Sequence, residues 1–437
     1  MLTDSRQNQC APAIVVARLA LASLALGLLS GCYLLQAAHG EMQVLEKRRP
    51  IGEVIEDPRT PESLRATLVQ VREAREFATR VLHLPDNRSY RTYADIGRPY
   101  VVWNVVAAPE FSLDPKEWCF PIVGCVAYRG YFSAAKARRF ALRLKERGFD
   151  VSVGGVPAYS TLGRFADPVM NTMLPYGGIE LAGIIFHELT HQLLYVRGDS
   201  SFNEAFAVTV EHEGVRRWLL SQGRTAALQR YEQQNARDLD YVRLFRRYRA
   251  RLEKLYASGV PAEQMRERKR AVFAALAQEM ARLAARSKAA APYQDWLDEG
   301  LNNADLVSVA TYYDCLPGFE QLLRHDDGDL RRFYSDVRQL AREPQGKRDA
   351  AVCHTTAGAV SSALDAGAQP IKMRWQGELA EIGGQQRRHA LRLDPEAREA
   401  VLSAQAVERE RSEVVEREGL AGEEPERESL QAPEDVR

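Results

Sequence analysis

The first half of the chain alternates between stretches of helical and of extended hydrophobic spacing. Residues 61–83 carry apolar side chains at helical intervals and predict a helix. The β-branched and aromatic run at residues 100–107 predicts a strand, and residues 125–132 predict a second one. An amphipathic helix is expected over residues 133–147, with Ser133 as its N-terminal cap.

The second half of the chain has a more uniform pattern. From about residue 178 to about residue 342 the spacing of apolar residues is nearly all helical. A sheet-containing part over about 60–175 followed by a helical part over about 176–345 is typical of the α+β class. We therefore predict an α+β fold in which a small N-terminal sheet precedes a mostly helical part, with both in one domain over residues 32–345.

The N-terminus has the pattern of a secretory signal. Residues 19–29 are apolar and uncharged, and this run is shorter than the roughly 20 residues that span a bilayer. The following Leu29-Ser30-Gly31-Cys32 resembles the bacterial lipobox, which implies a signal peptide over residues 1–31 and lipidation of Cys32. The alternatives are a short apolar N-terminus in which the cysteine occurs by chance, and an ordinary signal peptide that is cleaved nearby. Because Tyr33 and not Asp follows the cysteine, we expect an outer-membrane lipoprotein that faces the periplasm.

The C-terminus has the opposite composition. Residues 408–437 contain eleven acidic residues, five arginines and no aromatic residue. Such a segment buries too little apolar surface to offset its conformational entropy. We predict that residues 346–437 form a charged, disordered tail.

The overall composition excludes several classes of protein. Lysine plus arginine and aspartate plus glutamate both number 59, so the formal net charge is zero and we expect no nucleic-acid partner. Six cysteines in 437 residues exclude a disulfide-dense small scaffold. In an oxidising compartment Cys119 and Cys125 are expected to form a local disulfide, while the pairing of Cys315 and Cys353 stays open.

The clearest chemical pattern is His187-Glu188-x-x-His191 in an apolar helix. Side chains at positions i and i+4 lie on one face of a helix, so His187 and His191 can bind the same Zn²⁺. Glu188 points about 100° further round the helix and suits the role of general base towards a water molecule. An ordinary pair of surface histidines is the alternative, but the helix around them is almost free of charge.

The pattern allows more than one candidate for the third ligand. The segment Asn203-Glu204-x-x-Ala207 resembles the corresponding segment of gluzincins, which implies that Glu204 completes the metal site. Ser201 and Glu204 also spell a helix capping box, which is a structural alternative. Glu211 and His212 are then the remaining candidates for the third ligand.

A wider resemblance covers about residues 30–345. The segments at 36–45 (QAAHGEMQVL), 112–132 (SLDPKEWCFPIVGCVAYRGYF) and 156–174 (VPAYSTLGRFADPVMNTML), with FHELTHQLLYV and FNEAFA, are similar to the bacterial family of predicted aminopeptidases, which are zinc-site lipoproteins. The resemblance implies a gluzincin-like zinc peptidase that acts on peptides or proteins. The chain lacks the G-x-M-E-N segment that binds the substrate amine in aminopeptidase-N-like enzymes, so the choice between aminopeptidase and endopeptidase stays open.

A peptidase also needs an oxyanion donor, a group that orients the first histidine, and a surface that binds the peptide. The sequence offers candidates for each. An oxyanion donor is expected among Tyr312, Tyr313 and Tyr159, with Tyr312 favoured by the family pattern. Asn203 or the helix at residues 302–303 could orient the first histidine. Residues 156–162 could form an edge strand that pairs with a peptide substrate.

Two other functions compete with the peptidase. One is a chaperone-like envelope lipoprotein that keeps the zinc fold but mainly binds proteins. In the other, the helical residues 224–342 are an interaction module. Because all four of His187, Glu188, His191 and Glu204 are present, the peptidase is the favoured interpretation. The oligomeric state cannot be read from the sequence.

Overall fold

The computed structural model describes residue 33 and residues 35–120, 123–287 and 294–353. The predicted signal peptide, the lipidation site Cys32 and most of the predicted tail lie outside these residues. The strands are β1 Arg48–Pro50, β2 Thr92–Ala94, β3 Val102–Pro109, β4 Trp118–Phe120, β5 Gly124–Val126, β6 Tyr128–Tyr131, β7 Phe149–Val156 and β8 Val169–Met170.

The described chain is mostly helical and also contains small sheets of a few strands, which confirms the predicted α+β class. A first helix, α1, covers residues 35–46. The others are α2 Ile51–Glu56, α3 Glu62–Arg80, α4 Ala134–Glu146, α5 Gly178–Leu193, α6 Ser200–Ser221, α7 Thr225–Tyr256, α8 Ala262–Ser287, α9 Gln294–Glu299, α10 Asn303–Tyr313, α11 Leu316–His325, α12 Leu330–Leu340 and α13 Gln345–Arg348, with a 3₁₀ turn at Asn171–Tyr176 and a final turn at Asp349–Cys353.

The strands form three small sheets in the described residues. The largest has the order β6-β3-β7, with both pairs antiparallel, and α4 packs against it over a small apolar core. The second has the order β1-β2-β8, and the third is the β4-β5 pair, in which Cys119 lies opposite Cys125. The structure joins Cys119 to Cys125 and Cys315 to Cys353 by disulfides.

The main hydrophobic core surrounds α5. Every residue from Leu181 to His191 is buried, so this helix is covered on all sides. Helices α3 and α6 pack against it. A glycine on each helix allows α5 and α6 to approach closely: a β-carbon at Gly183 would lie 3.0 Å from Glu211 Oε1, and one at Gly214 would lie 2.8 Å from Phe186.

The prediction of an edge strand over residues 156–162 is wrong. Strand β7 ends at Val156, because Pro157 has no N–H for a strand ladder. Leu162 and Gly163 then turn the chain with positive φ angles of 56° and 75°. The edge strands of this sheet are β7 itself and β6.

The described structure continues past residue 345, where the tail was expected to begin. The buried guanidinium of Arg348 donates two hydrogen bonds to Asp199, at 2.6 and 2.8 Å, and thereby ties the end of this region to the start of α6. Among the described residues, no helix has the length and apolar character needed to cross a membrane.

Candidate metal centre

Helix α5 presents the two histidines on one face. His187 and His191 are 1% and 8% exposed, and their Nε2 atoms lie 3.1 Å apart. Two imidazole nitrogens at this separation can both bind one cation.

The tight turn after α5 positions the first turn of α6. Gly198 has a φ of 79°, and Asp199 caps α6 by accepting a hydrogen bond from the Phe202 N–H at 3.1 Å. Asn203 clamps the turn, since its side chain bonds both the N–H and the carbonyl of Val196 at 2.7 Å. Asn203 is therefore not the residue that orients a histidine.

The capping-box alternative for Glu204 is wrong. The N-cap of α6 is Asp199 and not Ser201, which lies inside the helix. The Glu204 carboxylate points instead to the histidines: Oε2 lies 3.2 Å from His187 Nε2 and 3.6 Å from His191 Nε2.

These three atoms fit a tetrahedral zinc site. Ligands on bonds of roughly 2.0–2.2 Å at tetrahedral angles are separated by about 3.3 Å. The three observed separations are 3.1, 3.2 and 3.6 Å, and His187, His191 and Glu204 are the group that could hold a metal ion among the described residues. Three protein ligands leave the fourth position for water or substrate, as in catalytic zinc sites.

A second carboxylate on α6 orients the first histidine. Glu211 Oε2 lies 3.1 Å from His187 Nδ1, so Nε2 of that ring is directed to the metal position. Seven residues separate Glu204 from Glu211, about two helical turns, so both face α5. This spacing was the available signal, but Glu211 was predicted only as a substitute ligand.

The other residues proposed for these roles lie elsewhere. His212 is buried against the ring of Tyr231, at 6.3 Å between centroids, and is not in the group of possible ligands. Asn302 and Asn303 use their side-chain amides on backbone carbonyl groups of the sheet region, so they do not orient His187.

The charges around the donor group favour a cation. Burial alone would lower the pKa of His187, but Glu204 and Glu211 raise it to about 10. Burial alone would raise the pKa of Glu204, but His191 and His187 lower it to about 2. Two carboxylates beside two imidazoles therefore stabilise positive charge at this position.

Glu188 lies beside the donor group without being part of it. The side chain is 4% exposed, and its carboxylate has no hydrogen-bond partner among the described residues. Burial raises its pKa from the usual value of a glutamate. A carboxylate with a raised pKa and free lone pairs suits the transfer of a proton from water.

Tyrosines that the sequence analysis did not select lie close to the site. Burial and then the charge of Glu204 raise the pKa of both Tyr128 and Tyr195, that of Tyr195 to about 12. The charge of Glu188 also acts on Tyr128. The positions of these two tyrosines depend on how β6 and the turn after α5 pack, and no local sequence pattern indicates them.

The three tyrosines that were predicted as oxyanion donors are Tyr159, Tyr312 and Tyr313. The Tyr159 hydroxyl donates a hydrogen bond to the Glu41 carboxylate, so its proton is already engaged. Tyr312 and Tyr313 lie in α10, and their side chains are outside the described part of the structure.

Comparison with known proteins assigns the family. Neither the search of curated proteins nor the search of solved structures finds a match. The family model described as "Putative aminopeptidase" matches residues 32–352, which is well over half of the chain and includes every residue of the metal centre. The chain therefore belongs to the family described as "Putative aminopeptidase".

Proposed function

We propose that the protein is a zinc-dependent peptidase, and that it acts as an aminopeptidase. One observation carries the proposal: His187, His191 and Glu204 direct their ligand atoms to one point, while Glu188 lies beside that point with an unpartnered carboxylate. The family assignment supports the peptidase activity.

His187 and His191 would hold the metal through Nε2, and Glu204 would hold it through Oε2. When bound, zinc would polarise the scissile carbonyl and lower the pKa of a water molecule towards neutrality. Glu188 takes the proton from that water as the carbonyl carbon is attacked, and then delivers it to the leaving amine. Glu211 holds His187 in the tautomer that leaves Nε2 free for the metal.

A donor is also needed for the developing oxyanion. Tyr128 is one candidate, because burial and then the charges of Glu204 and Glu188 act on its hydroxyl and raise its pKa. Tyr312 remains the candidate that the family resemblance favours.

We also propose that the protein is a lipoprotein of the cell envelope. Lipidation of Cys32 would anchor it to the outer membrane facing the periplasm, where peptides or proteins are its substrates. The lipobox-like Leu29-Ser30-Gly31-Cys32 and the two disulfides support this location, because disulfides persist in oxidising compartments.

The proposed activity is tested by substituting Glu188 and Glu204, because the two substitutions should have different effects. Glu188→Gln removes the proton acceptor but no ligand, so zinc should stay near one equivalent while peptide hydrolysis falls by about a hundredfold or more. Glu204→Ala removes a ligand, so the zinc content and the activity should fall together. Glu46→Gln, an exposed glutamate on α1, is the control and should change neither quantity.

Zinc is measured by atomic absorption, and hydrolysis is measured on a peptide library. A protein that binds zinc but cleaves no peptide in the library would favour the chaperone-like alternative. Unchanged hydrolysis in Glu188→Gln would rule out the assigned base.

A further inference from the structure

A group of polar side chains beside Glu188 has no part in the mechanism above. We call it the acidic cluster: Glu41 on α1, Tyr90 before β2, and Tyr159 and Asp167 in the loop after β7. Gln192, which follows His191 on α5, donates a hydrogen bond to Asp167 Oδ2 at 3.0 Å, so the acidic cluster lies against the helix that carries the proposed ligands and base. The charge of Glu188 also raises the pKa of both Tyr90 and Asp167.

The two carboxylates of the acidic cluster receive hydrogen bonds from neutral groups only. The Tyr159 hydroxyl donates to Glu41 Oε2. Asp167 accepts from the Thr161 hydroxyl at 2.7 Å, from the Thr161 N–H at 3.2 Å and from the Gln192 amide at 3.0 Å. Glu41 Oε1 has no partner among the described residues, and one lone pair of Asp167 Oδ1 is still available.

Neither Glu41 nor Asp167 forms an ion pair with a described residue, although Asp167 is only 4% exposed. Burial raises the pKa of Glu41 and outweighs the charge of Arg48, which lowers it. Arg48 and Arg98 lie nearby, but their guanidinium groups donate to backbone carbonyl oxygens. A buried carboxylate without a counter-charge is costly, so the acidic cluster is suited to a cation from outside.

The pKa shifts of the two carboxyl groups also favour the binding of a cation by the acidic cluster. Burial first, and then the charges of Glu188 and Glu41, raise the pKa of Asp167 to about 7. Burial likewise raises the pKa of Glu41. A bound cation would relieve the repulsion among three carboxylates.

Tyr90 gives an independent indication of a ligand. The residue is 1% exposed, and its hydroxyl has no hydrogen-bond partner among the described residues. The Tyr90 N–H donates to the Asp167 carbonyl at 2.6 Å, so Tyr90 lies beside Asp167. Burial, then the charges of Glu188 and Asp167, raise the pKa of the Tyr90 hydroxyl. A buried hydroxyl without a partner is unfavourable, and a ligand with a hydrogen-bond donor would satisfy it.

The acceptors suit an ammonium group better than a second metal. Glu41 and Asp167 are not in the group of possible metal ligands found among the described residues. An ammonium group has three N–H donors, and the acidic cluster offers three acceptors: Glu41 Oε1, Asp167 Oδ1 and the Tyr90 oxygen. Glu41 is half-buried, so it can also be reached from solvent.

We propose that the acidic cluster binds the free α-ammonium group of the peptide substrate, with Glu41 as the main anchor. The inference rests on the proposed peptidase activity and specifies its substrate as a peptide with an unblocked N-terminus. Only one carbon atom separates the α-amine from the scissile carbonyl carbon. The group that binds the amine must therefore lie close to the metal ligands, and the hydrogen bond from Gln192, which follows His191, holds Asp167 against the same helix.

The experiment compares pairs of ligands that differ only at the amine. An amino-acid hydroxamate, which binds zinc through its hydroxamate group, and its N-acetylated form are titrated calorimetrically into the zinc-loaded mature chain. Tripeptides with free and with acetylated N-termini are assayed in parallel. We expect roughly ten- to hundredfold preference for the free amine in both measurements, which is the scale of a charged hydrogen bond.

Glu41→Gln should abolish that preference by weakening only the free-amine ligands, through a higher KM with kcat nearly unchanged. The matched control Glu46→Gln lies on the same helix, is exposed, and should keep the preference. This control separates loss of the amine contact from general disruption of the fold.

Other outcomes overturn one proposal or both. If the wild-type protein hydrolyses free and acetylated peptides equally and Glu41→Gln changes neither, the amine site is wrong while the peptidase stands. If no hydroxamate binds and no peptide is cleaved by the zinc-loaded protein, both proposals fail.

Discussion

Glu211 lies outside the group of possible metal ligands, but its contact with His187 predicts an effect on metal binding. Its carboxylate lies 3.1 Å from His187 Nδ1. We expect Glu211→Gln to weaken zinc binding by about ten- to hundredfold, because the charge that orients and polarises the histidine is lost. The measurement is competition with a chromophoric chelator. Glu213→Gln on the same helix is the control, because Glu213 pairs with Arg216 and Arg217 and not with the histidines. Equal zinc affinity in Glu211→Gln and wild type would show that His187 needs no such partner.

The ion pairs of Glu213 predict a contribution to stability that depends on pH. Burial would raise its pKa, but hydrogen bonds from Arg216 and Arg217 lower it below the usual 4.5. A carboxyl whose pKa is depressed in the folded state stabilises the protein above its unfolded pKa, and this contribution is lost as pH falls through the folded pKa. Glu213→Gln should therefore cost about 1–2 kcal/mol of unfolding free energy at pH 7, and clearly less at pH 3. Denaturant unfolding at both pH values tests this. An equal cost at both would contradict an ionic role.

The sequence was informative about residues whose relation is local. His187 and His191 are one turn apart on one helix, so their spacing predicted that they face the same point. Glu204 was found through a motif that follows the histidines closely. The nearness of Tyr128, Tyr90 and Asp167 to Glu188 arises from the packing of separate loops and strands, for which no local pattern exists.

At the scale of elements, the site depends on how closely α5 and α6 approach. Gly183 lies one turn before His187, and a β-carbon there would be 3.0 Å from Glu211 Oε1 and 3.4 Å from Glu211 Cγ. Gly183→Ala should leave helix content unchanged, since alanine favours helices, but should displace Glu211. We expect zinc affinity to fall by about tenfold. Chelator competition and circular dichroism measure the two effects.

The control for this change is Gly52→Ala. Gly52 also lies in a helix, α2, and a β-carbon there would meet nothing within 4 Å. The substitution should preserve zinc affinity and leave stability equal or slightly higher. If Gly183→Ala binds zinc as well as Gly52→Ala does, Glu211 can move and still reach His187.

Elements differ in how far their sequences predict them. The helix expected over residues 61–83 is α3, Glu62–Arg80, and the one over 133–147 is α4, with Ser133 accepting from the Lys136 N–H as its cap. Periodicity and caps lie within a few residues, so they can be read directly. Strand pairing joins distant segments: β2 pairs with β8 over more than seventy residues. Nothing in either strand alone specifies its partner.

At the scale of the whole molecule, the described N-terminus is held firmly near the β6 edge. The Tyr33 hydroxyl donates to the Gly130 carbonyl at 2.9 Å, and the Arg129 guanidinium lies 4.1 Å from the centre of the Tyr33 ring. Phe120 stacks on the same ring at 5.3 Å between centroids. Since Cys32 directly precedes Tyr33, a lipid on that cysteine would join the folded part with almost no linker.

Cys32→Ala tests the anchor on the whole protein. The lipid is attached through the cysteine side chain, so the variant should incorporate no radiolabelled palmitate and should leave the membrane fraction. Its zinc content and melting temperature should match those of wild type, because the contacts of Tyr33 involve no atom of Cys32. Cys10→Ala, within the predicted signal peptide, should label as wild type does. Equal labelling of Cys32→Ala and wild type would mean that the lipobox-like sequence is not used, and that any membrane association of the protein has another origin.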